Sequence, residues 1–419
     1  MKTLFKLPVY LMFGAAMFGF ASCSDDNNDD ATVADDVNLQ PIVEQFVSGT
    51  VNPTYKLLAD ATEDLCNKLT TLRDKAKAGT EISDQELVDV TKVFLNARKY
   101  YEESEAFLFG AASDYGIDPH IDSWPLSEEV LVNALVNDQM VESLDSDNGQ
   151  TANGSLGQSV LGFHGIEYIL FRDGKPRTYA DMKAGLNSNH PEITAKLQLI
   201  FARAVAADLR NSCYRMEVCW NANATKSHID WLTSEEGVGD LEWSTTALNS
   251  DYTYGDYMLK AGQPGIRYTS WRSAVSEIVK GGCQNIADEV GETKLGNPIT
   301  GADESYIESP YSKNSKTDFV DNLISIENVY MGGREDSRDE SKSLHAYLQK
   351  NNPALDTRLT AAITKAKAAI MAINGDGALV DYIKDHAQGD RAQGQAAIDA
   401  CKEVSDALSA IDDYILNGK

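Results

Sequence analysis

Residues 161–171, LGFHGIEYILF, set one imidazole and one carboxylate inside an otherwise apolar run. His164 and Glu167 are three residues apart, so on a helix they share a face with Val160 and Phe171. A carboxylate stripped of water costs several kcal/mol unless it finds a cation, a proton or a hydrogen-bond network. Helical bundles that bind metals use Glu and His at this spacing inside the core. Metal ligation is therefore the first chemistry to consider, and a satisfied core His–Glu hydrogen bond is the alternative. Gly162 and Gly165 flank the imidazole, each costing a helix about 1 kcal/mol. Close approach of another group would justify them.

A first-row metal takes three or more protein ligands. The best further donor lies in ARKYYEESEAFLFG, residues 97–110. Arg98, Tyr101 and Glu105 follow each other at spacings of three and four, and so share a helix face. Glu105 is pressed against Ala106-Phe107-Leu108-Phe109, whereas Glu102 and Glu103 read as exposed helix charges. Further along, ESPYSKNSKTDF (308–319) gathers Glu308, Ser309, Tyr311, Ser312, Asn314 and Asp318 into one short polar stretch. A capping turn before the apolar run that follows accounts for part of it.

The elements that must position these groups are helices. Leu58, Leu65, Leu69, Leu72 and Ala76 mark one helix face. A second helix opens at Ser83 with Glu86 as capping-box partner, and carries Leu87, Val90, Phe94, Ala97, Tyr101 and Leu108. Two more stripes lie near the C-terminus: Leu355, Leu359, Ile363, Ala366, Ile370, Ile373, and Ala397, Cys401, Val404, Leu408, Ile411, Ile415. Alternating strand patterns are scarce. The expectation is an all-α protein with a helical half over 37–235 and another over 236–419. The less regular stretch 221–265 holds the boundary. Residues 143–158 read as a loop, and their Asp145 and Asp147 miss the spacing of a calcium loop.

The N-terminus reads as targeting sequence. Lys2 and Lys6 precede an apolar run ending in small residues, a secretion signal over 1–22. Phe20-Ala21-Ser22-Cys23 resembles a bacterial lipobox, which would make Cys23 a lipidated N-terminus, and the acidic segment 23–36 a flexible tether. Five other cysteines remain and no CxxC occurs, which argues against a zinc–thiolate site. Cys66 and Cys401 sit on apolar stripes as small hydrophobes. The 419 residues carry a formal net charge of -27. Nucleic acid is excluded as a partner on that balance, since binding it needs clustered Lys and Arg.

RKYYEESEAFLFG, DSWPL (122–126), GFHGIEYILF, ESPYSKNSKTDF and ENVYMGG (327–333) come in the order found in the imelysin family, also classed as M75 peptidase-like. The family hallmark GxHxxE is similar to Gly162-x-His164-x-x-Glu167. The resemblance implies two four-helix-bundle-like halves around a shared cleft. It points to His164 and Glu167 as site residues and Glu105 as third ligand, with Gly162, Arg98, Tyr101, Glu308, Ser312 and Asp318 in support. It implies a metal-binding lipoprotein of the bacterial outer membrane, surface-exposed or periplasm-facing, serving iron or other metal uptake with a partner protein. Iron or zinc suits that donor set. An M75-type metallopeptidase is one alternative, although HExxH is absent and Tyr168 breaks the inverted HxxEH pattern. A non-catalytic scaffold for a partner protein is another.

Overall fold

The computed structural model describes residues 36–239, 241 and 243–417. The secretion signal and the lipidation site Cys23 lie outside these residues. The eight main helices are α1 (Asn52–Lys77), α2 (Asp84–Glu102), α3 (Gly162–Leu170), α4 (Ala195–Trp220), α5 (a helical run over 271–300), α6 (Ser315–Met331), α7 (Pro353–Ala372) and α8 (Ala392–Asn417). The all-α expectation holds. The one sheet among the described residues is the antiparallel pair Phe171–Arg172 and Lys175–Pro176.

The helices sort into two bundles. In the first, α1 packs along α2 and α4, and α3 lies on α4 and α2. In the second, α8 packs along α7 and α5, and α6 lies on α7. The apolar stripes read from the sequence are the buried faces: Leu58, Leu65 and Leu69 in one bundle, Val404, Leu408 and Ile411 in the other. Ser83 caps α2, and its capping box with Glu86 forms as expected. The segment Gln40–Val51 runs straight into α1 and reaches the second bundle, where Gln45 donates to the Gly332 carbonyl.

The bundles meet where α2 crosses α6 and where the short 3-10 turn Glu105–Phe107 packs on α5. A helix at such a seam is buried on two faces, so its polar residues are not all outward-facing. This corrects the reading of Glu102 and Glu103 as exposed: both are buried. Two boundaries also differ. Helix α3 begins at Gly162 and ends at Leu170, leaving Val160 and Phe171 outside it. The stretch 143–158, read as loop, contains the whole of helix Gln150–Ser155 and the end of Asp138–Ser146.

Candidate metal centre between the bundles

The start of α3 is fixed by its glycines. Gly162 has a φ of +62°, and a Cβ there would fall 1.8 Å from the Ile121 carbonyl oxygen. A Cβ on Gly165 would fall 2.1 Å from that of Val160. Only glycine lets the chain carrying Asp122 lie against the start of α3. The close approach foreseen for these glycines is thus a backbone, and it brings Asp122 to His164.

Glu167 is buried and fully engaged. Its Oε1 accepts from the Tyr311 and Ser312 backbone N–H groups at 3.1 and 2.7 Å, and from Ser312 Oγ at 2.7 Å. Its Oε2 lies 3.3 Å from His164 Nδ1. The loop that supplies the donors comes from the second bundle. It holds Ser309 and Lys313 at φ of 49° and 59°, left-handed conformations that cost of order 1–2 kcal/mol per residue. Successive N–H groups turned inward in this way form a nest for a negative charge.

His164 Nε2 faces the other way, 3.2 Å from Asp122 Oδ1, without the alignment of a hydrogen bond. Burial pushes the imidazole towards neutrality, but Asp122 and Glu167 on either side outweigh it and raise its pKa to about 9. Asp122 shows the counterpart: burial raises its pKa, and Arg98 and His164 together hold it below the ordinary carboxylate range.

Arg98, from α2, forms the hub. Its guanidinium pairs with Asp122, Glu308 and Glu102, and Nε lies 3.6 Å from Asp318 Oδ2. Every side chain in that set is buried. Asp318 also accepts from Ser309 Oγ and Asn314 Nδ2 at 2.5 Å each. Burial lifts its pKa to about 6 against the pull of Arg98. Lys294, from α5, is the second buried cation, with Nζ 3.2 Å from Glu105 Oε1, 3.3 Å from Glu308 Oε2 and 3.3 Å from Asn322 Oδ1. Tyr101 donates to Asp118, whose pKa burial lifts to about 7.

The sequence-derived residues therefore gather at one seam, but not in the arrangement expected. His164, Glu167 and Glu105 do not converge on one point: Glu167 is occupied by the nest and Glu105 by Lys294. Nor does Glu105 extend the α2 face of Arg98 and Tyr101, because α2 ends at Glu102. Among the described residues, three trios have ligand atoms within 4.8 Å of one another: Asp122–His164–Glu308, Glu102–Glu308–Asp318 and Glu102–Glu105–Asp122. Asp122 and Lys294 went unrecognised as site residues. Asp122 had no periodic neighbour to mark it. Lys294 ends a π stretch, Glu289–Lys294, whose extra residue per turn breaks the 3.6 period by which an inward position is read.

The sequence profile of imelysin (peptidase M75) matches residues 51–409. The chain belongs to the imelysin family. Iron-regulated protein A of Synechococcus elongatus is 24% identical over 331 residues, 79% of this chain and 75% of that one. A solved structure from Parabacteroides distasonis, described as an iron-regulated protein A precursor, superposes with a TM-score of 0.69 at 24% identity, covering 90% of this chain and 95% of its own. An imelysin-like protein from Psychrobacter arcticum gives 0.56 at 16% identity, covering 89% and 93%. At these identities the two structures establish a shared imelysin fold. Among the described residues of this member, no helix is long and apolar enough to cross a membrane.

Proposed function

We infer that this imelysin-family protein binds a metal cation in the seam between its bundles, as a lipid-anchored envelope protein serving iron or other metal uptake. The observation that carries the reading is the His164 imidazole, 2% exposed. Its Nδ1 is oriented by Glu167, and its Nε2 lacks a hydrogen bond and points into a carboxylate cluster. Metal-ligating histidines are held in this way, one ring nitrogen on a carboxylate and the other on the metal. Asp122, His164 and Glu308 supply the donor set, and Glu167 orients the imidazole. One nitrogen and two carboxylate donors suit iron or zinc. The iron-regulated relative and the acidic surface both fit a cation as cargo.

A peptidase reading has less support. A general base needs a free carboxylate oxygen, and Glu167 has both engaged. Nor can Ser312 act as a His-activated nucleophile, because its hydroxyl donates to Glu167 and not to His164.

The test is calorimetric titration of iron and zinc salts into chelator-stripped protein, paired with denaturant melts. Metal at a hundredfold excess over Kd should stabilise the wild type by about 2.7 kcal/mol. His164→Ala and Asp122→Asn should lose most of that gain, while His228→Ala should keep it. Because the imidazole carries its proton up to about pH 9, binding must displace it. Affinity should strengthen with pH up to about 9, not level off near the ordinary imidazole value. A metal gain that survives both substitutions would remove these residues as ligands and leave the scaffold reading in front.

A further inference from the structure

Lys294 is 1% exposed and sits where a cation is needed more than a lysine is. Three carboxylates and an amide oxygen surround Nζ: Glu105 at 3.2 Å, Glu308 at 3.3 Å, Glu102 at 3.8 Å and Asn322 at 3.3 Å. The Trp124 ring closes one side, with its centroid 5.4 Å away. Each of these distances exceeds the roughly 2.7–2.9 Å of a well-made ammonium–carboxylate bond, so Nζ is shared among several oxygens with no short bond to any one of them. Glu308 Oε2 accepts no hydrogen bond at all.

The cluster is also under-neutralised. Among the described residues, the carboxylates of Glu102, Glu105, Asp122, Glu308 and Asp318 face two permanent cations, Arg98 and Lys294, and the His164 imidazole beside Asp122. A divalent ion in place of the ammonium would supply one of the missing charges.

The surroundings allow the exchange. Glu105 lines a cavity of about 390 Å³ together with Asp118 and Glu289, and Asp118 and Glu289 also line a neighbouring one of about 330 Å³ beside Trp124. An acidic vestibule therefore abuts the cage at Glu105. Glu289 lies one π turn before Lys294, at the opposite end of the same π stretch. It lines both cavities and is the carboxylate on that helix placed there to receive the displaced ammonium. π stretches of this kind recur at functional sites.

The geometry points to Lys294 as a tethered stand-in for cargo: a hard divalent cation entering through the vestibule displaces its ammonium from the Glu102–Glu105–Glu308 cage and takes that position beside His164. This rests on the reading of the seam as a cation site and adds a second, all-oxygen position to it. Oxygen-only donors favour ions such as manganese(II) or iron(II).

The experiment is acylation of the wild-type protein with an amine-reactive ester, read by mass spectrometry with and without saturating manganese(II) chloride, whose binding is measured separately by calorimetry. Lys294 should be protected without the metal and react at least tenfold faster with it, while Lys92, an exposed lysine, reacts equally in both. Manganese(II) that binds while Lys294 stays protected would overturn the displacement and leave the cation reading standing. If manganese(II), iron and zinc all fail to bind, both fall. Lys294→Met gives a second readout, at least tenfold tighter manganese(II) binding. A folded Lys294→Met protein that binds no more tightly than wild type counts against the proposal. Should that variant fail to fold, the acylation of the unmutated chain decides alone.

Discussion

Two histidine–glutamate pairs are buried among the described residues, and they are built alike. At the seam, Glu167 takes backbone N–H groups and a hydroxyl on one oxygen and His164 Nδ1 on the other. Inside the first bundle, Glu217 accepts from the Thr225 N–H and hydroxyl on Oε1, at 3.0 and 2.9 Å, and from His228 Nδ1 on Oε2 at 2.5 Å. The difference lies in what the second ring nitrogen meets. His228 Nε2 approaches Asp60 and Glu63 at 3.9 and 3.7 Å, and both of those side chains are about half exposed, so water screens them. His164 Nε2 meets Asp122, itself buried with Arg98, Glu102, Glu308 and Asp318. A His–Glu pair is thus a local way to satisfy a core carboxylate. Chemistry becomes available only where the remaining nitrogen faces unscreened charge.

The seam should break hardest at its hub. Arg98→Met strands four buried carboxylates, and removing one partner of such a network costs about 3–5 kcal/mol. Urea unfolding of chelator-stripped protein measures this, and a loss under 1 kcal/mol would mean the cluster is already neutralised by protons.

Next comes pH. His164 has a folded pKa of about 9, above the ~6.5 of an unfolded histidine. Its contribution is fully present below pH ~6.5 and is lost as pH rises through 9. Without metal, wild-type stability should fall relative to His164→Gln by on the order of 2–3 kcal/mol between pH 6.5 and 9.5. Parallel pH profiles for the two proteins would show that Asp122 and Glu167 do not hold the proton.

A smaller effect compares the two hydroxyls. Ser312→Ala removes a hydrogen bond to a charged group, worth about 1.5–3 kcal/mol, and that bond joins the two bundles. Thr225→Ala removes the same bond eight residues from its acceptor. Ser312→Ala should therefore also speed amide exchange in both α3 and the loop 308–314, whereas Thr225→Ala should change exchange only around Glu217. Identical exchange patterns would erase the distinction.

Least of all, Glu63→Gln should shift stability by no more than about 0.5 kcal/mol, as surface substitutions do. A thermal melt checks it, and a larger loss would make the His228 pair more than structural.

How far the site was legible follows from how far apart its parts lie. His164, Glu167 and the glycines sit within one helical turn or two, and their polarity inside an apolar run is visible at once. Arg98 and Glu308 carried only the weak signal of polar groups beside apolar ones. Glu102 was misread because amphipathic periodicity assumes one buried face, and α2 has two. Lys294 was invisible because a π stretch changes the period on which the reading depends.

The sequence by itself determined the helices, their caps and the stripes that sort them into two bundles, because 3.6-residue periodicity and capping act over a few residues. It also determined that Glu167 needs partners, since its neighbours are apolar. Only the tertiary structure decided who those partners are. The nest on Glu167 comes from 144 and 145 residues away, Glu308 reaches Arg98 across 210, and Lys294 reaches Glu105 across 189. Buried charges interact strongly over short distances in a medium that water does not screen. Such pairings are set by which surfaces the two bundles press together, and local sequence carries no record of that choice.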